Sequence, residues 1–83
     1  MRLLYFGWVR ARIGISGETL EPPANVIDVY GLIDWLKKRG GGYQEALEDA
    51  TLIRVAVNQE ITTFDTQIRR GDEVALFPPM TGG

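Results

Sequence analysis

Pro78-Pro79-Met80-Thr81-Gly82-Gly83 ends the chain in a reactive group without a side chain, the carboxylate of Gly83. Glu73 to Phe77 reads as a strand. Two consecutive prolines then remove two backbone donors and fix φ, so sheet pairing is expected to stop at or just after Phe77. The four residues after Pro79 reach roughly 13 Å at about 3.3 to 3.6 Å each, enough to enter a partner's cleft while the body stays outside. Without Cβ atoms, Gly82 and Gly83 keep this tail thin and leave its carbonyl open to a nucleotide or a nucleophile from either side. A Gly-Gly end alone also describes a frayed terminus. Strand, proline stop and Gly-Gly together point to a working tail, with residues 1–79 as the folded domain and 80–83 as a flexible appendage.

Little other chemistry is open to the chain. Its 83 residues include no cysteine and no histidine. That excludes a disulfide framework and Ser-His-Asp or Cys-His nucleophiles, and it removes the residue types on which zinc and most transition-metal sites rely. A carboxylate pair is the only familiar acid–base device left. No metal or cofactor bound by this chain is expected. The net charge of -2, with basic residues spread along the sequence, argues against nucleic acid as a partner. Lys37-Lys38-Arg39 is the one basic cluster, and it falls at an expected helix C-terminus, where cations oppose the negative end of the dipole. Apolar residues at 45% and charged residues at 24% suit a single ordinary globular domain. The apolar runs are too short for a bilayer, and the N-terminus lacks a secretory pattern, so a cytoplasmic location without membrane partners is expected.

The positioning elements follow from periodicity. Arg2 to Arg10 reads as a strand, with Leu3, Tyr5 and Val9 on one face and Leu4, Phe6 and Trp8 on the other. One layer of helix covers only one of those faces, which leaves an apolar face for a partner. Residues 12–17 read as a turn, and Glu18 to Glu21 as a short second strand ended by Pro22-Pro23. Asp28 is an N-cap, Ile27 and Leu32 fit a hydrophobic staple, and Val29, Leu32, Ile33 and Leu36 form one apolar stripe. Gly31 is a poor helix former within it. Gly40 is expected as an αL cap, and Gly41-Gly42 as a flexible connection to a helical turn over Tyr43 to Leu47. Ile53, Val55 and Val57 alternate with Arg54 and Ala56 as a third strand, Asn58-Gln59 turns, and Ile61 belongs to a short fourth strand. Phe64 and Ile68 are candidate core plugs. In the last strand Val74 and Leu76 face the helix, and Ala75 and Phe77 face away. A hairpin, a crossing helix and further strands predict an α+β ubiquitin-like β-grasp, a mixed sheet with the first and last strands parallel at its centre and one main helix on one face.

Three segments now carry a family resemblance: Leu4-Tyr5-Phe6-Gly7-Trp8-Val9-Arg10, Arg54-Val55-Ala56-Val57-Asn58-Gln59-Glu60, and Gly71 through Gly83 with its Phe-Pro-Pro-x-x-Gly-Gly ending. Together they resemble the small subunit of molybdopterin synthase over essentially the whole chain. The resemblance implies a sulfur carrier whose Gly83 carboxylate, presented by Gly82, is adenylated by an ATP-dependent enzyme and converted to a thiocarboxylate by a sulfur donor protein. It implies a large-subunit partner, in a heterotetramer of two small and two large subunits, which holds the catalytic residues and builds a dithiolene on cyclic pyranopterin monophosphate. The partner contacts it implies are Phe6, Arg10, Ile61 and Phe77, with Pro78, Pro79, Met80 and Thr81 entering behind them. Phe6 also suits a small core, and Arg10 a solvated strand-end charge. Trp8 is bulkier than the small or polar residue usual in that family.

Three other readings share much of this sequence. A thiamin- or cysteine-pathway sulfur carrier uses the same activation, although Pro78-Pro79 counts against it. A protein modifier ends in an isopeptide bond from Gly83 to a lysine. An interaction module with an inert tail uses the fold alone.

Overall fold

A computed structural model describes residues 1–79. The elements run β1 (Arg2–Tyr5), α1 (Gly7–Ile13), β2 (Gly17–Thr19), α2 (Val29–Lys37), α3 (Gly41–Leu47), a 3-10 turn (Ala50–Leu52), β3 (Arg54–Val57), β4 (Glu60–Thr62) and β5 (Glu73–Phe77). The sheet order is β2-β1-β5-β3-β4. β1 and β5 lie parallel at the centre, and every other pairing is antiparallel. This is the mixed β-grasp sheet that the strand pattern predicts.

A single core fills one side of the sheet. Leu3, Tyr5, Val55, Val74 and Leu76 point into it from the strands, and Val9, Val29, Leu32, Ile33, Leu36, Ala46 and Leu47 meet them from the three helices. α2 starts where the sequence signal places it: the Asp28 carboxylate accepts from the Gly31 N–H at 2.8 Å. The two N–H groups before it donate to the 64–68 loop, Val29 to the Thr66 carbonyl and Tyr30 to that of Phe64, so the first turn is satisfied from two directions. Ile27 is 60% exposed, so the expected staple with Leu32 is not what orients this end. The Ile68 N–H donating to the Ile27 carbonyl, with the Asp28–Gln67 bridge, fixes the approach instead.

The first strand is shorter than its apolar pattern suggests. The chain leaves the sheet after Tyr5, and Gly7 to Ile13 form a helix where a continued strand and a turn are expected. The cause is backbone, not hydropathy. Gly7 takes φ +57, outside the strand region, and a Cβ there would stand 2.7 Å from Pro78 Cγ. From that point Val9 is buried through helical rather than strand spacing, and Trp8 packs against the core instead of joining the open face. β2 is correspondingly Gly17–Thr19, earlier than the expected Glu18 to Glu21.

The glycine run also differs from expectation. α2 ends on Lys38 in the right-handed region, and Gly40, at φ +76 and ψ -168, is the N-cap of α3 rather than an αL cap of α2. Gly42 is not linker. A Cβ there would run into the Arg12 carbonyl, so its bare Cα is what lets α3 lie against the end of α1.

Candidate functional site

Alternation along the strands sorts the candidate residues by face, and register sets their neighbours. The side away from the helices carries Leu4 from β1, Ala75 and Phe77 from β5, Arg54 and Ala56 from β3, and Ile61 from β4. Ala75 lies between Leu4 and Ala56, Ala56 is opposite Ile61, and Phe77 is opposite Arg54. Ile61 is 79% exposed. No helix among the described residues covers this face.

Phe6 continues the alternation one step past β1. Its N–H donates to the Leu76 carbonyl at 3.1 Å, which holds it beside the end of β5, and its ring is 48% exposed. That exposure decides against the core reading of Phe6. Arg10 donates its N–H to the Phe6 carbonyl at 3.2 Å, so it stands one turn up α1 and is exposed. Pro78 packs its ring against Gly7. Phe6, Phe77 and Pro78 therefore all lie at the common end of the parallel strands β1 and β5, with Arg10 one turn along α1. Ile61 stands apart, two strands from β5 on the outer strand β4. Pro79 is half-buried. Met80, Thr81, Gly82 and Gly83 lie outside the described residues.

Directly behind this cluster, on the core side, is a polar anchor that sequence reasoning missed. Tyr5 and Tyr43 both donate to Oε2 of Glu18, at 2.8 and 2.6 Å, and their rings meet edge to face at 6.5 Å. Burial first, and then the hydrogen bond to Glu18, push the Tyr5 phenol far above its ordinary value. The same causes in the same order raise Tyr43. The Arg39 guanidinium lies 5.0 Å over the Tyr43 ring and 5.6 Å from that of Trp35. This network ties β1, β2 and α3 together beneath the point where the chain turns at Phe6. No spacing rule finds it, since Glu18 is 13 residues from Tyr5 and 25 from Tyr43.

A model of the ThiS family matches residues 3–83. The chain belongs to the ThiS family. It is 37% identical over 83 residues to the molybdopterin synthase sulfur carrier subunit of Escherichia coli K12, covering 100% of this chain and 99% of that protein. Among solved structures, a candidate molybdopterin converting factor, subunit 1, from Pyrococcus furiosus superposes with a TM-score of 0.77 at 29% identity, covering 95% of each chain. A protein–protein complex of subunits 1 and 2 of the molybdopterin-converting factor from Helicobacter pylori matches with a TM-score of 0.64 at 20% identity, covering 99% of this chain and 96% of that one, a likeness of fold. Within the ThiS family, then, this chain presents the β-grasp sheet with one face open and a proline-terminated central strand leading off its end.

Proposed function

We propose that this protein is the sulfur carrier subunit of a molybdopterin synthase, with Gly83 as the carrier. The observation that carries the reading is the end-to-end match to the Escherichia coli sulfur carrier subunit, which includes the tail. The geometry supports it, because every buried apolar residue among those described precedes Pro78, and the last strand ends at Phe77 beside the open face. A carboxylate is a poor acyl donor at neutral pH. Its oxygen attacks the α-phosphate of ATP in an activating enzyme, releasing pyrophosphate, and the acyl-adenylate then has AMP as a good leaving group. The outer sulfur of a donor-protein persulfide displaces AMP, and a second donor thiol then cleaves the remaining S–S bond, leaving the thiocarboxylate on Gly83 and a disulfide on the donor. The large subunit takes this tail into its active site, where the sulfur bonds to a carbon of cyclic pyranopterin monophosphate and water cleaves the acyl–sulfur bond, returning the carboxylate; a second charged chain supplies the second dithiolene sulfur. The chain needs no cysteine for any of these steps, and it has none. Activation and transfer take place in the cytoplasm, the transfer within a heterotetramer of two small and two large subunits.

Intact-mass measurement of protein recovered from its native host tests the reading. A population with one oxygen replaced by sulfur, mapped to Gly83, is expected. Gly83→Ala, or one residue added after Gly83, should abolish dithiolene formation while binding to the large subunit falls only slightly, because the reacting carbonyl must reach the same place in two active sites. Near-normal turnover by the extended protein, untrimmed, would rule out Gly83 as the carrier. Gly-Gly remnants on lysines of other proteins would instead support the modifier reading.

A further inference from the structure

A chain whose own carboxyl group is activated must keep that group from its own nucleophiles, and this one holds few. It has no cysteine, and no histidine to activate a hydroxyl, which leaves amines as the acyl acceptors to consider. Lysine is ordinarily among the commonest residues, yet seven of the nine basic side chains here are arginine and only Lys37 and Lys38 are lysine. Both lie at the end of α2 in the helical layer, beside Asp34, Gly40 and Gln44. The Met1 amino group donates to the Leu20 carbonyl at 2.9 Å, at the opposite end of β1 from the tail's root.

The cations at that root are Arg10 and Arg54. Arg10 is two hydrogen bonds from β5: its N–H donates to the Phe6 carbonyl, and the Phe6 N–H to that of Leu76. Arg54 is opposite Phe77 in register, which sets their Cα atoms about 5 Å apart. Both residues are exposed. Four extended residues after Pro79 span roughly 13 Å, so both positions fall within their reach. On the carrier reading every state of the tail's end is anionic, whether carboxylate, adenylate or thiocarboxylate, and a cation here attracts it. An amine in the same place would capture the activated carbonyl. A guanidinium stays protonated and has no lone pair to offer. Hydrogen bonding does not account for the choice. Arg54 donates through one nitrogen to the Thr51 and Ile53 carbonyls, both at 3.1 Å, and a lysine ammonium with three donors can do the same.

Resting on the carrier reading above, we propose that Arg10 and Arg54 are specificity-determining residues, cations without an amine that keep the activated Gly83 for sulfur. The reaction they exclude is internal acylation. A neutral ε-amine adds to the Gly83 carbonyl, the C–N bond forms as the bond to the AMP oxygen breaks, AMP leaves with the electron pair, and one proton passes to water. The closed chain then has no terminal carboxyl group to carry sulfur.

The test uses the full chain with an aryl thioester at Gly83, made by intein cleavage, as the acyl donor in place of the adenylate. The unchanged chain, Arg10→Lys, Arg54→Lys, Arg10→Gln, Arg54→Gln and Arg69→Lys are incubated at pH 9 and followed by intact mass. Hydrolysis returns the carboxylate, whereas closure gives a product lighter by one water. Arg10→Lys and Arg54→Lys should each give about tenfold or more closed product than the unchanged chain, mapped to residue 10 or 54, because a tethered amine acts at a high effective concentration. The glutamine variants lose the guanidinium without gaining an amine and should hydrolyse like the unchanged chain. So should Arg69→Lys, in the turn before β5 at the far end of that strand. Hydrolysis alone from both Arg10→Lys and Arg54→Lys would overturn the proposal. Equal closure of the unchanged chain on Lys37 or Lys38, or of Arg69→Lys on its new amine, would overturn it too. The thioester needs no activating enzyme, sulfur donor or large subunit, so its outcome is separate from that of the carrier reading, which the mass of the native protein decides.

Discussion

On the carrier reading proposed above, Phe77 is the residue at which folding and partner recognition separate. Val74 and Leu76 on the same strand are fully buried, while Phe77 lies on the opposite face in register with Arg54. Phe77→Ala is therefore expected to weaken large-subunit binding by about 2 kcal/mol or more, roughly 30-fold, with only a small change in thermal stability. Equal losses in titration and melting would show that the ring belongs to the core. Tyr5 is the opposite case, a side chain that serves the fold. Its phenol titrates above the ordinary 10.0 in the folded chain, so the neutral form is favoured by folding. The stability it contributes is complete below pH 10 and is lost as pH climbs from there through the folded value, with Tyr43 acting in the same direction. Chemical denaturation between pH 7 and 11 should show this alkaline decline, and Tyr5→Phe should make it shallower from a lower starting stability. An unchanged decline in the variant would remove Tyr5 as its source.

Among the elements, α1 and α3 are the two that depend most on backbone approach. Gly42→Ala introduces a methyl against the Arg12 carbonyl at a position whose φ is ordinary, so its cost is packing alone. A loss of about 1–3 kcal/mol in denaturant unfolding is expected, as for other overpacked sites. Full stability in that variant would mean that α3 can shift without penalty. α2 shows why some elements are legible beforehand and others are not. Its cap, stripe and length are written in Asp28 and in Val29, Leu32, Ile33 and Leu36, all within one local window. α1 has no such window, because Tyr5 to Arg10 satisfies a strand period as well as a helical one until Gly7 adopts a positive φ.

For the whole molecule, the division between domain and tail is the property to test. Every buried apolar residue among those described precedes Pro78. A chain ending at Pro79 should melt at the same temperature as the full chain and still bind the large subunit through the open face, while forming no thiocarboxylate. Unfolding or aggregation of the truncated protein would make the tail part of the fold. The sheet ties distant parts of the chain together, since its central strands join the first and last segments. That pairing brings the tail's root to Phe6.

The amino-acid order alone determined which side of each strand is apolar, where α2 begins, that the chain has neither cysteine nor histidine, and that its last strand ends in a proline stop before Gly82-Gly83. Those properties are local, each expressed within a few residues by composition, period or backbone restriction. The tertiary structure decided which residues became neighbours: Pro78 against Gly7, Ala56 beside Ala75, and two tyrosines on one carboxylate. A period of two records the face on which a side chain lies, but strand order and register choose what stands next to it. Those are set by how all five strands and three helices close one core together, a cooperative outcome that no single segment encodes.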